Sequence, residues 1–137
     1  MNMPKMNQKG FTFIEIMVSV GIFAIGLTSI FALHLDSLKA AKRSTYMYTA
    51  YNLAKNRIET LKNLSFSALS SAAETSTYLT ADGVPDSSGQ YIRSSTVSTS
   101  YSGDANLTQL SVSVYYVMQG GQSTQPVTLT TVLYNGG

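Results

Sequence analysis

Residues 11–35 read FTFIEIMVSVGIFAIGLTSIFALHL, and this stretch decides the fold that the rest of the chain can adopt. Glu15 is its only residue that is charged by default. The stretch is long enough for a bilayer-spanning helix, which needs about 20 consecutive apolar residues. Neither glycine nor proline occurs from residue 27 to residue 82, so nothing in that range breaks a helix. The sequence therefore predicts one long helix from about Phe11 to about Leu64.

Beyond residue 35 the same helix becomes amphipathic, and we expect its apolar face to cover a globular head. That face is formed by residues at helical spacing: Leu53, Ala54, Ile58, Leu61 and Leu64. The rest of the helix surface is expected to carry the charged residues Lys55, Arg57, Glu59 and Lys62. A tyrosine cluster has two interpretations, an interfacial aromatic belt or contact surface, or ordinary helix packing: Tyr46, Tyr48 and Tyr51.

The C-terminal part, residues 65–137, has the composition of a variable loop followed by strands. Residues 65–90 are rich in Ser, Ala, Thr and Gly, which indicates a connecting loop with one short element. Residues Tyr91–Tyr101 are β-prone because they are rich in Thr, Val and Tyr, and period-two alternation predicts two further strands at Leu110–Met118 and Val127–Leu133. The last two are separated by a turn over residues 119–122, and Pro126 places the last strand at a sheet edge or starts it. The predicted fold class is α+β: one long N-terminal helix packed on a small antiparallel sheet of about three strands or more.

The composition excludes most catalytic and metal chemistry. Cysteine is absent and His34 is the only histidine, which argues against disulfides, a zinc site and a Ser-His-Asp triad. No phosphate-binding loop or hydrolase motif is present, so we predict no enzyme, no cofactor and no nucleic-acid partner. Asp82 and Asp86 flank a turn, where a solvated loop is favoured over a weak calcium site. Arg93 is expected to pair with a loop acid or with a partner subunit.

The residues before the apolar stretch have the composition of a leader that is removed. Lys5 and Lys9 precede it without an acidic residue, and no small-x-small cleavage site follows it. We therefore predict a cut between Gly10 and Phe11, which removes residues 1–10 and keeps the apolar helix. The two leader lysines are part of nine basic residues, so the product keeps seven, equal to its seven acidic residues. The cut gives Phe11 a free amine, and Glu15 lies four residues on, at the separation of one helical turn.

The block KGFTFIEIMV, residues 9–18, resembles the type IV prepilin signal of type IV pilins and type II secretion pseudopilins. The shared pattern is a basic leader, glycine before the cut, phenylalanine after it and glutamate at the fifth position after the cut. The resemblance implies that a prepilin peptidase cleaves after Gly10 and methylates the amine of Phe11. It also implies that Glu15 guides docking of the subunit into a helical filament. Residues 54–61 fit the pattern A-x-x-R-x-E-x-L of PilV-type minor pilins.

The resemblance predicts a structural subunit, a minor pilin of a type IV pilus-like filament. It implies four segments: leader 1–10, transmembrane and filament-core helix 11–35, amphipathic helix 36–64, and loop-and-sheet head 65–137. The expected partners are other pilin subunits, prepilin peptidase, an inner-membrane assembly platform and, before assembly, membrane lipid. The expected location is the inner membrane, crossed once with the head outside the cytoplasm, and then the pilus surface. The alternatives are a type II secretion pseudopilin, a major pilin and a pilus-tip ligand-binding subunit.

Overall fold

The computed structural model describes residues 10–118 and 121–135, and it shows one long helix followed by an antiparallel sheet. The helix, α1, spans Phe13–Lys62, and a short 3-10 helix follows at Phe66–Ala72. The strands are β1 (Glu74–Leu79), β2 (Tyr91–Thr99), β3 (Leu107–Met118), β4 (Gly121–Gln122) and β5 (Val127–Tyr134). A 3-10 turn at Tyr101–Gly103 joins β2 to β3. The chain divides into two compact units, Met1–Ala41 and Lys42–Gly137.

The predicted α+β class and the single long helix are confirmed. The helix begins two residues later and ends two residues earlier than predicted. Its end coincides with the change to a Ser- and Ala-rich sequence after Leu64. The last turn is closed by hydrogen bonds from Asn63 N–H to the Thr60 carbonyl and from Leu64 N–H to the Leu61 carbonyl. The segment boundaries at residues 35 and 64 stay predictions.

The sheet is built around β3, the longest strand. β2 pairs with one side of β3 in continuous antiparallel register from Tyr91 opposite Tyr116 to Thr99 opposite Thr108. β4 and β5 both pair with β3, and β1 pairs with β2. Since β5 pairs only with β3, Pro126 precedes an edge strand, as predicted. Residues 119 and 120 of the predicted turn lie outside the described residues.

The core lies between the last three turns of α1 and one face of the sheet. β3 alternates strictly between buried and half-buried side chains, as period two requires. Its buried side chains Leu110, Val112 and Val114 have no solvent exposure. They pack in one cluster with buried residues of α1, namely Ala50, Leu53, Ala54, Ile58 and Leu61. Burying a leucine or valine side chain completely contributes about 1.5–3 kcal/mol, so this cluster is the main source of the head's stability.

One expectation for the amphipathic segment is wrong. Leu64 lies past the helix end and is 39% exposed, so it does not belong to the core face. Among the charged residues of this segment, the side chain of Arg57 is only 17% exposed, and it faces a carboxylate of the sheet. The tyrosine cluster divides between its two interpretations. Tyr46 packs on Tyr91 and Tyr116 with ring centroids 6.1 and 5.9 Å apart, whereas Tyr48 and Tyr51 are exposed.

The loop predicted at residues 65–90 contains more structure than expected. It holds both the 3-10 helix and β1, where one short element was predicted. β1 escaped prediction because it lacks alternation: among its residues, Leu79 alone is buried, and the register shifts between Glu74 and Thr77. Ser76 lies in this irregularity with a φ of 50°, a left-handed backbone that a non-glycine residue adopts at a cost.

Candidate functional site

The predicted cleavage site lies in accessible backbone without regular secondary structure, just before α1. Gly10 is exposed, and no atom lies within 4 Å of the position that a Cβ would occupy. Phe11 is 82% exposed. Because α1 begins at Phe13, Phe11 lies outside the helix. The four-residue separation of Phe11 and Glu15 is therefore not a full helical turn in this structure, and their charge pairing stays a prediction. The predicted leader lysines, Lys5 and Lys9, lie outside the described residues.

Glu15 is held at the start of the helix by reciprocal bonds with Thr12. The backbone N–H and the hydroxyl of Thr12 donate to Glu15 Oε2 at 3.3 and 3.4 Å. The backbone N–H of Glu15 donates to Thr12 Oγ1 at 3.3 Å. This is a capping box, in which a threonine and the glutamate three residues later satisfy two N–H groups that the helix leaves without partners. The carboxylate also lies at the positive end of the helix dipole.

This capping box was not predicted, although the sequence contains its signal. Thr12-x-x-Glu15 is the T-x-x-E spacing that marks a helix start before an apolar run. The charge of Glu15 alone does not indicate this role. The structure gives its side chain a second, local role, which is to fix where the helix begins.

The helix surface that follows is apolar, and no described residue covers it. Its large side chains from Phe13 to Leu35 are 40–79% exposed. The helix contains an 18-residue window with a mean hydropathy of 2.3, long and apolar enough to cross a membrane. Its hydroxyls are satisfied within the helix: Ser19 donates to the Glu15 carbonyl, and Thr28 and Ser29 donate to the Ile25 carbonyl. Internally bonded hydroxyls suit an environment without water, because an unpaired polar group there is costly.

Gly10, the capped Glu15 and much of the apolar helix surface lie in the part of the chain that matches a known family model. Residues 5–31 match the family model of the prokaryotic N-terminal methylation motif. This match supports a type IV pilin-like prepilin signal and a type IV pilin-like or pseudopilin-like protein. The motif and the apolar helix are consistent with anchoring in the inner membrane. Comparison with curated proteins and with solved structures gave no match.

The head contains a second polar arrangement, centred on Glu74 of β1. Arg93 of β2 donates to both of its carboxylate oxygens, from Nε at 2.9 Å and from Nη2 at 3.2 Å. Arg57 of α1 approaches Glu74 Oε1 with Nη2 at 3.0 Å. The expectation that Arg93 pairs with an acid is confirmed, with the difference that the acid lies in a strand and binds a second arginine. Neither the spacing of these residues nor their types marked them as partners.

The turn that carries Asp86 is stabilised by its own side chain. Asp86 Oδ1 accepts hydrogen bonds from the backbone N–H of Ser88 at 2.8 Å and from its hydroxyl at 2.7 Å. These bonds lower the pKa of the Asp86 carboxyl below its ordinary value of 3.8, the backbone bond having the larger effect. Within residues 10–118 and 121–135, no group of three or more His, Cys, Asp or Glu side chains comes together as metal ligands would.

Proposed function

We propose that this chain is a minor pilin, a structural subunit of a type IV pilus-like filament that acts through assembly and not through catalysis. The observation that carries the proposal is the methylation motif over residues 5–31, with an uncovered apolar helix behind it. In the proposal, prepilin peptidase removes residues 1–10 by cutting between Gly10 and Phe11 and methylates the new amine. Segment 11–35 lies in lipid and then in the filament core. The head, beyond the amphipathic segment, faces away from the cytoplasm and reaches the pilus surface.

Electrostatics support the proposed roles of Glu15 and of the leader. A carboxylate within a membrane helix costs about 2.5–3.5 kcal/mol on insertion scales. The capping box and the helix dipole offset part of that cost in the unassembled chain. Removal of Lys5 and Lys9 leaves basic and acidic residues equal in number, which allows copies to pack without net repulsion. The amine of Phe11, which stays basic after methylation, then becomes the nearest charge that Glu15 of the same or a neighbouring subunit can pair with.

The intact mass and the N-terminal sequence of the protein from its own cells test the processing step. The expected mature chain begins at N-methylated Phe11. Replacement of Gly10 by a bulky residue is expected to leave the full-length mass. A mature chain that begins at Met1 or far beyond Phe11 contradicts the proposal.

A pair of substitutions at Glu15 tests the docking role separately from the cap. Glu15→Gln keeps an acceptor that a capping box accommodates but removes the charge, whereas Glu15→Ala removes both. We expect both variants to be inserted and processed, and both to be depleted from sheared filaments by tenfold or more, on the order of 1.4 kcal/mol. Asp36→Asn is the matched control, an exposed helix carboxylate that should not change incorporation. Normal incorporation of Glu15→Gln would show that the charge is not what docks the subunit.

The finer assignment as a minor pilin is favoured by the absence of a proline midway along the helix and of a cysteine-closed loop. Quantitative mass spectrometry of sheared filaments tests it, with an expected abundance far below that of the principal subunit. Equal abundance would indicate a major pilin. Co-isolation with a secretion channel would indicate a pseudopilin.

A further inference from the structure

Arg57 and Arg93 share one carboxylate, that of Glu74. The side chains of Arg57 and Arg93 are 17% and 13% exposed, and that of Glu74 is 23% exposed. Within ion-pair distance, each largely buried guanidinium therefore has only a share of one carboxylate among the described residues. A partly buried charge that is incompletely compensated is unfavourable, which leaves room for a further acceptor beside the two arginines.

Arg57 also has unused hydrogen-bonding capacity. Its contacts to Glu74 and to the backbone carbonyl of Ala72 are both made by Nη2, at 3.0 and 2.9 Å. Its Nε is fully buried, and it has no hydrogen-bond partner among the described residues. A guanidinium carries five N–H donors in a fixed plane, and a buried donor without an acceptor costs about 1–3 kcal/mol. Because the buried Nε is closed to solvent, an acceptor in the space beside Arg57 can reach only the other N–H groups of this guanidinium.

A cavity of about 260 Å³ lies beside the cluster, with Arg57 and Arg93 in its wall. The wall also holds the exposed side-chain amide of Asn56, which adds donors, and the apolar side chain of Leu53. An engineered cavity of about 150 Å³ admits benzene, so the space here holds a small organic group. Asp82 lines the cavity as well, and it makes no hydrogen bond to either guanidinium in the described structure.

From these contacts we infer that the Arg57–Arg93 cavity is a binding site for a carboxylate carried on a short aliphatic stem. Guanidinium N–H groups that are not bonded to Glu74 suit a carboxylate, and Leu53 gives the cavity wall an apolar part. Asp82 at the same cavity disfavours doubly charged anions such as phosphate, because each added negative charge adds repulsion. The same chemistry is supplied by a free small acid or by an aspartate or glutamate side chain of a neighbouring subunit.

The arginine side chains themselves provide the reporter for the test. The chain contains three arginines, so the Nε–H signals of Arg57 and Arg93 can be assigned against Arg43 by proton–nitrogen NMR of the full chain in detergent. Sodium acetate is titrated against sodium chloride at constant ionic strength, from zero to about 0.2 M, to separate binding from screening. We expect acetate to shift the Arg57 signal in a saturable way and chloride to leave it in place, with Arg43 unmoved by either. An Arg57 signal that ignores acetate, or that moves equally with chloride, overturns the site.

Two exposed wall residues test the charge argument without disturbing the core. Asp82→Asn removes the repelling charge and is expected to tighten the apparent Kd for acetate about fivefold. Asn56→Ala removes amide donors but favours the helix, and it is expected to weaken binding about threefold. Asp104→Asn is the matched control, the same change in a distant exposed loop, and should leave the Kd within about twofold. Equal effects of Asp82→Asn and Asp104→Asn overturn the site.

The two sources of the carboxylate are separated by dilution without acetate. If a neighbouring copy supplies the acid, the Arg57 signal shifts with protein concentration and Asn56→Ala reduces that shift. If the ligand is a free acid, the signal shifts with acetate alone. The site lies in the Lys42–Gly137 unit, so its failure leaves the proposed processing at Gly10 untouched, and failure of that processing leaves the site.

Discussion

The buried tyrosine Tyr91 joins the sheet to the helix through both its ring and its hydroxyl. It is 3% exposed, and its ring lies against that of Tyr46. Burial raises the pKa of its phenol above the ordinary value of 10.0. A hydrogen bond with the Thr49 side chain lowers this pKa, and the electrostatic effect of Tyr46 raises it further. The neutral phenol is therefore the form that the folded head prefers.

This preference predicts a loss of stability at alkaline pH that depends on Tyr91. Because its folded pKa lies above the unfolded value, the stabilisation is complete below about pH 10 and is lost as the pH rises through the folded pKa. We expect Tyr91→Phe to lower Tm slightly at neutral pH, through the lost hydrogen bond, and to flatten the decrease in Tm above about pH 10. Tyr134→Phe, at an exposed tyrosine, is the control and should follow the parent curve. Parallel curves for Tyr91→Phe and the parent would contradict the burial argument.

Single residues also show where sequence reasoning stops. The roles of Gly10, Phe11 and Glu15 were predicted from a compact motif and stay predictions, although the methylation-motif match spans these residues. The Thr12–Glu15 bonds follow from a spacing that is readable in the sequence. Glu74 is different, because its partners lie 17 and 19 residues away on either side, and only the folded topology brings them together.

At the scale of elements, periodicity predicted what is long and regular. β3 and β5 alternate with a period of two, whereas β2 was predicted from its β-prone residues. The predicted bounds of α1, β2, β3 and β5 agree with the observed ones within a few residues. β1 fails this test because a bulge at Ser76 breaks its alternation and because its stability comes from pairing with β2. The Arg57–Glu74–Arg93 cluster connects this irregular strand to α1 and to β2 at once.

The cluster predicts that Glu74 contributes more to stability than an ordinary surface carboxylate. Glu74→Ala leaves two largely buried guanidiniums without their counterion and is expected to cost about 2–3 kcal/mol in the free energy of unfolding. Glu59→Ala is the matched control, since Glu59 makes a similar 3.1 Å contact to Lys62 on the exposed helix surface and should cost about 0.5 kcal/mol or less. Urea unfolding followed by tyrosine circular dichroism measures both. Equal costs would show that the shared carboxylate does not hold the three elements together.

At the scale of the whole molecule, the two units differ in whether their apolar side chains are exposed or buried. Among the described residues, every buried side chain lies at or beyond Ala50, in the unit Lys42–Gly137. The apolar side chains of segment 11–35 contribute nothing to that core, and in the proposed function lipid or neighbouring subunits cover them. Folding of the Lys42–Gly137 unit and burial of the apolar helix surface therefore contribute to the free energy separately.

This separation predicts that residues 36–137 fold without the apolar segment. The fragment keeps the whole buried cluster, and Asp36 at its start stabilises the N-terminus of the helix. We therefore expect cooperative unfolding with a Tm within about 5 °C of that of the full chain in the same detergent. A shorter fragment, residues 51–137, is the matched control. It loses Ala50, which is completely buried, and Tyr46, whose ring stacks on that of Tyr116, and its Tm should drop by more than about 10 °C. If residues 36–137 instead remain unfolded, the apolar helix stabilises the head directly, and membrane insertion must then precede folding of the sheet.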